Sequence, residues 1–126
     1  MNDDAEIRNI VALYAQRLDG NDPDAFVDLF TEDGRFVSST NDQTGREALR
    51  KFVERTYASR GDKQSRRLSG NVVVHLNGDT AEASCDNVVF QRVGDAPWRV
   101  SAVSRYVDRL VRQNGRWLIK EKRVER

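Results

Sequence analysis

The sequence predicts an α+β fold in which N-terminal helices pack on a strongly curved antiparallel or mixed sheet, with residues 1–126 forming one domain. Three observations carry this. Apolar residues up to Tyr57 recur at helical spacing, those after Leu68 alternate as in strands, and turn residues punctuate the second half at hairpin intervals. Helices that lead and strands that follow argue for α+β, with the helices on one face of the sheet.

Ile7, Ile10, Val11, Tyr14 and Leu18 fall on one helical stripe, which predicts an amphipathic helix over residues 4–18, closed by Gly20. Asp22 then offers a cap and Pro23 suits a first turn, so a second helix is expected to bury Phe26, Leu29 and Phe30. Glu32-Asp33-Gly34 reads as a turn and Arg35 to Ser39 as a short strand. Thr44-Gly45-Arg46-Glu47 has the spacing of a capping box and opens a third helix, buried through Leu49, Phe52, Val53 and Tyr57. The polar run from Ser59 to Arg67 reads as a loop.

Four strand runs follow: Asn71 to Leu76, Thr80 to Val93, Trp98 to Arg112 and Arg116 to Val124. Asn77-Gly78-Asp79 and Gln113-Asn114-Gly115 suit tight hairpins, and Gly94-Asp95-Ala96-Pro97 a longer connection. On the second run, Ala81, Ala83, Cys85, Asn87, Val89 and Gln91 make the likelier inner face, because the alternate set carries Glu82 and Asp86. The third run is ambiguous. Both Ala102, Ser104, Tyr106, Asp108, Leu110 and the alternate Val103, Arg105, Val107, Arg109, Val111 mix apolar with polar residues.

Composition narrows the function. Of 126 residues, 33% are charged, yet 21 basic side chains face 20 acidic ones, and a net charge of +1 gives no global field for nucleic acid or an anionic membrane. The N-terminus is acidic without a long apolar run, so neither a signal peptide nor a membrane span is read there, and the default location is cytoplasmic. A single cysteine, Cys85, excludes an intrachain disulfide, and with a single histidine, His75, most histidine or cysteine metal sites are improbable. No phosphate-binding glycine loop or serine nucleophile motif is present. A sheet curled around helices leaves a pocket for a small, near-neutral molecule, and no cofactor is implied.

Several fragments together resemble a known family. They are Leu13-Tyr14-Ala15 with Leu18-Asp19, Asp28-Leu29-Phe30-Thr31-Glu32-Asp33-Gly34, Asn77-Gly78-Asp79-Thr80-Ala81, Arg105-Tyr106-Val107-Asp108 and Asn114-Gly115-Arg116-Trp117. Their order and spacing resemble the SnoaL-like branch of the nuclear-transport-factor-2-like superfamily across nearly the whole chain. The resemblance implies a cone with an internal pocket and a homodimer formed through the outer sheet face. It leaves the chemistry open among polyketide cyclases, scytalone-type dehydratases, steroid isomerases and other enzymes, and non-catalytic subunits of ring-hydroxylating dioxygenases.

Carried over by position, the resemblance makes Tyr14 and Asp19 the catalytic candidates, a phenol and a carboxylate at the end of the first helix. Leu68 stands where the family has a histidine, so an Asp-His dyad is not assembled. Leu68, Asn87, Gln91, Ser104 and Tyr106 are then expected to line the substrate site. His75 reads as structural or exposed, and Asp108 as the partner of an arginine such as Arg123 or of a residue on a neighbouring strand. The basic cluster Arg60, Lys63, Arg66 and Arg67 reads as a solvated loop, the alternative being a guide for an anionic substrate to a cavity mouth. Two functions follow: a cofactor-independent enzyme that moves protons on a small oxygenated molecule, or a non-catalytic binding or assembly module.

Overall fold

A computed structural model describes residues 2–126. Helix α1 spans Asp3–Asp19, with the Asn2 side chain accepting from the Ala5 N–H at its start and Gly20 at its end. Its stripe of Ile7, Ile10, Val11, Tyr14 and Leu18 is buried. Helix α2, Pro23–Val27, is capped as expected by Asp22, which accepts from the Ala25 N–H. Strand β1 covers Phe30–Val37, β2 Asp42–Thr44, helix α3 Arg46–Ala58, and strands β3 to β6 cover Lys63–Asn77, Thr80–Val93, Arg99–Gln113 and Arg116–Glu125.

The six strands run in the order β2-β1-β6-β5-β4-β3 and do not close into a barrel. All neighbouring pairs are antiparallel except β1 with β6, so the sheet is mixed. The helices lie on one face. Val72 and Val74 of β3 pack against the core, as do Ala81, Ala83 and Cys85 of β4, Tyr106 and Leu110 of β5, and Trp117 and Ile119 of β6. Among the described residues no helix is long and apolar enough to cross a membrane.

Local chemistry departs from the sequence reading at three places. Glu32-Asp33-Gly34 is an excursion inside β1 rather than a turn before it: Phe30 pairs with Ile119 but Arg35 already with Glu121, so extra residues loop out. Gly34 permits this, since a Cβ there would lie 2.8 Å from the Cβ of Phe30. The capping box does not form. Thr44 is spent in β2, where it pairs with Arg35, and Gly45 caps α3 at φ 91° with no side-chain hydrogen bond. Finally, β3 starts at Lys63 instead of Asn71, within what reads as a loop. As an edge strand it carries charge on its solvent side, and that polarity hides it from a pattern based on apolar alternation. Within α3, Leu49 and Val53 are buried and Phe52 stacks on Phe36, whereas Tyr57 is exposed.

The two hairpins follow the turn chemistry. Asn77 pairs with Thr80 around Gly78, at φ 62°, and Gln113 pairs with Arg116 around Asn114 and Gly115, at φ 53° and 80°. The ambiguity on β5 resolves in favour of the Ala102 to Leu110 set. Tyr106, Asp108 and Leu110 are buried, and the alternate Val103, Arg105 and Arg109 are exposed.

Candidate functional site

The inner face of the sheet is ordered by its register into rows. Nearest the 77–80 and 113–116 hairpins, Ala81, Leu110 and Ile119 are aligned; Val74, Ala83, Asp108 and Lys122 come next; then Cys85, Tyr106 and Val124; then Ser69, Asn87 and Ser104; then Arg67, Val89 and Ala102; and last Ser65 with Gln91. Polar groups therefore occupy both the deep end and the open end of one surface, over which α1 lies.

The deep end is sealed. Lys122 is 0% exposed. Its Nζ stands 2.9 Å from both oxygens of Asp108, donating to Oδ2, and lies 4.0 Å from the ring centre of Tyr14 and 4.4 Å from that of Tyr106. Burial pushes the Asp108 carboxyl up, and the adjacent ammonium opposes the shift. Tyr14 also packs on Phe26 and Phe30, and its hydroxyl is buried with no hydrogen-bond partner. Burial holds that phenol well above its ordinary pKa, which keeps it neutral. At no more than 1% exposure, Tyr14, Asn87, Asp108 and Lys122 have no water-sized space beside them. The pocket expected around Tyr14 is filled by protein.

The open end is built differently. Where α1 ends, Asp19 accepts at Oδ2 from the Arg67 N–H at 2.7 Å and at Oδ1 from Arg67 Nη1 at 2.5 Å. Arg60 donates to the carbonyls of Asp19 and Leu18, with its Nη2 3.8 Å from the Asp19 carboxylate. A carboxylate at a helix C-terminus is opposed by the helix dipole, and these two arginines supply the compensation. Burial disfavours the Arg67 charge, and the bonded Asp19 carboxylate holds it cationic. From the other side, burial raises the Tyr106 phenol while the charge and hydrogen bonding of Arg67 pull it back. Asp19 and Arg67 thus pair at the rim, and the Tyr106 phenol lies near enough to feel the guanidinium charge. Gln16, Asp19, Gly20, Ser65, Arg66 and Arg67 line a depression of about 420 Å³ at this rim, a size that accommodates a small ligand.

Of the residues singled out from sequence, the structure gathers Tyr14, Asn87 and Tyr106 on the interior, with Ser104 and Gln91 half-buried further out and Asp19 at the rim. Leu68 does not join them. It is 63% exposed on the outer face, where it pairs with Val88, and its neighbours Arg67 and Ser69 face inward. The cause is a bulge. Asn71, at φ 52°, and Val72 together stand opposite Cys85, so the inward set changes from Ser65, Arg67 and Ser69 to Val72 and Val74. His75 is exposed.

Asp108 pairs with Lys122, not with Arg123, which is exposed and bonds Glu121. The same physics explains this: Leu110 pairs with Ile119 but Arg109 with Glu121, so Lys120 is the extra residue of a second bulge, and it turns Lys122 inward. Arg60 and Arg67 are likewise not solvated, with side chains only 12% and 14% exposed. Simple alternation therefore misses Lys122 and the Arg60-Asp19-Arg67 group. Among the described residues, no three His, Cys, Asp or Glu side chains gather as a metal site.

The sequence matches the family described as SnoaL-like domain over residues 1–123. No curated protein matches it significantly. Among solved structures, a nuclear-transport-factor-2-like protein with a cystatin-like fold from Novosphingobium aromaticivorans is 27% identical, with a TM-score of 0.88 over 97% of this chain and 80% of that one. A protein from Catenulispora acidiphila in complex with S-DNPA is 25% identical, with a TM-score of 0.84 over 96% and 90%. ActVI-ORFA from Streptomyces coelicolor, at 23% identity and TM-score 0.85 over 95% and 93%, shares the fold.

Proposed function

The chain belongs to the SnoaL-like family, and from that premise we propose that it is a cofactor-independent lyase, isomerase or cyclase. It moves protons on a small, oxygenated polyketide, aromatic or steroid-like molecule. The observation that carries this reading is the position of Arg67, held by Asp19 at an open depression, with its charge felt by the Tyr106 phenol behind it. A guanidinium fixed in that way polarises a carbonyl oxygen, a neutral phenol beside it donates to the enolate oxygen that develops, and the proton leaving the neighbouring carbon passes to solvent hydroxide or a buffer base at the open depression. Asp19 has both oxygens engaged by Arg67, so its role is to orient that side chain rather than to act as a free base. Tyr14 backs Tyr106 with an edge-on ring, and Gln91 and Ser104, the half-buried polar groups further out, position the substrate, Asn87 being sealed in the interior. The bound S-DNPA of the Catenulispora protein supports a small-molecule role for this fold.

The test is hydrogen exchange in D₂O with 2-tetralone as an enolisable probe. The protein is expected to accelerate deuterium incorporation beside the carbonyl, with a loss of about 10²-fold or more in Tyr106→Phe and Asp19→Asn. Exchange at the buffer rate sinks the enzymatic reading.

A second, non-catalytic reading rests on the outer sheet face. Leu68, Val100 and Val103 are exposed there, and Leu68, Val88 and Val103 align across three strands. A patch of this kind suits a second copy of the chain, and the homodimer is proposed through it.

A further inference from the structure

The cleft at the end of α1 carries more positive charge than its one carboxylate balances. Arg60 and Arg67 both lean on Asp19, and Arg66 at the rim is exposed with neither an ion pair nor a side-chain hydrogen bond among the described residues. From this we infer that the cleft binds the anionic end of its ligand, a carboxylate on a small aromatic or polyketide-like body. The inference rests on the reading above that the substrate sits in this cleft.

Three features support it. First, the side chains that line it, Gln16, Asp19, Ser65, Arg66 and Arg67, all end in polar or charged groups, so the depression suits a charged head. Second, the cationic floor is fixed before any ligand arrives. Arg60 is tied to the last carbonyls of α1 and stacked 4.9 Å over the Tyr57 ring, and Arg67 is clamped through both its backbone and its side chain. Donors held in this way lose little freedom on binding, and their low exposure weakens solvent screening. Third, Arg66 at the exposed mouth keeps its whole guanidinium fork free for a ligand, since among the described residues no carboxylate or carbonyl engages it. A planar guanidinium fork matches a carboxylate better than it matches a neutral amide.

The full chain is titrated with 2-naphthoate, 2-naphthamide and 2-naphthyl phosphate, with binding read by calorimetry. Naphthoate is expected to bind saturably, about tenfold or more tighter than the amide, and to weaken as salt is raised. Arg66→Gln, at an exposed position, is expected to lower naphthoate affinity several-fold. Asp19→Asn removes the competing negative charge and is expected to raise it. The inference fails if the amide binds as well as naphthoate, if Arg66→Gln has no effect, or if none of the three probes binds. A preference for naphthyl phosphate replaces carboxylate by phosphate and likewise overturns it. Naphthoate binding without tetralone exchange leaves the anion site standing and removes the enzymatic reading. Exchange without naphthoate binding does the reverse.

Discussion

Two ion pairs sit on the same inner sheet face, and they are opposites. Lys122 and Asp108 are sealed, with two aromatic rings packed against the ammonium. Asp19 and Arg67 are each 14% exposed and line an open cleft. Desolvating two charges costs several kcal/mol per ion, which the sealed pair recovers only through its short contacts, so it tolerates no loss of a partner. The pair at the cleft keeps contact with solvent and has spare partners in Arg60 and the Arg67 backbone. The sealed pair therefore governs stability, and the open pair is available for ligands.

The contrast is broken most severely by Lys122→Met, which leaves the Asp108 carboxylate buried alone and is expected to destabilise the fold by about 3–5 kcal/mol in urea unfolding. The double variant Lys122→Met/Asp108→Leu is expected to recover most of that loss, because no charge is left buried. Acid provides a second check on the single variant. Burial already holds Asp108 above the usual carboxylate range, and removing Lys122 takes away the group that opposes the shift. A carboxyl whose folded pKa exceeds its unfolded value of about 3.9 favours folding in acid, and that advantage is lost as pH rises through the folded pKa. The deficit of Lys122→Met is thus expected to shrink as pH falls from about 8 toward about 4. A deficit that is equal for single and double variants contradicts the sealed-pair account.

Arg67→Met should have a smaller effect, about 1–2 kcal/mol by the same measurement, because Asp19 keeps the backbone N–H of residue 67 and the nearby Arg60. A loss as large as that of Lys122→Met would mean that the two ends do not differ. The smallest effect is expected for Leu68→Gln. At an exposed outer-face position it should change monomer stability by no more than about 0.5 kcal/mol and leave naphthoate binding unchanged. A change in binding would return Leu68 to the site.

How much of this is legible in the sequence depends on whether a strand is interrupted. On β4 the alternation runs unbroken, and its bounds at Thr80 and Val93 and its inward set from Ala81 to Val89 can be read directly. The stripe of α1 is equally plain. On β3 and β6 a single extra residue reverses the alternation, and each reversal falls next to a functional candidate: Arg67 in place of Leu68, and Lys122 in place of Arg123 as the partner of Asp108. Asn71 with its positive φ offers a retrospective hint, since asparagine tolerates that conformation better than most residues, whereas Lys120 offers none. The Asp19-Arg67 contact joins residues far apart in the chain, so no local pattern contains it. The family resemblance supplies the fold and the place of Asp19, and it does not supply the cation that holds it.

Strand β1 runs parallel to β6, so Phe30 meets Ile119 and Val37 meets Arg123. The first turn of α1 is fastened at the same end of the chain, through Asp3 to the Trp117 indole and Arg112, and through Glu6 to the Trp117 N–H. During synthesis, the opening helix and strand leave the ribosome long before these partners exist. What they bury until then is their own apolar stripe and the short β1–β2 ladder, which leaves the other edge of β1 unpaired. The fold is completed only when residues 116–125 are free to slot between β1 and β5, a closure that joins α1 and β1 to β6 in one late step.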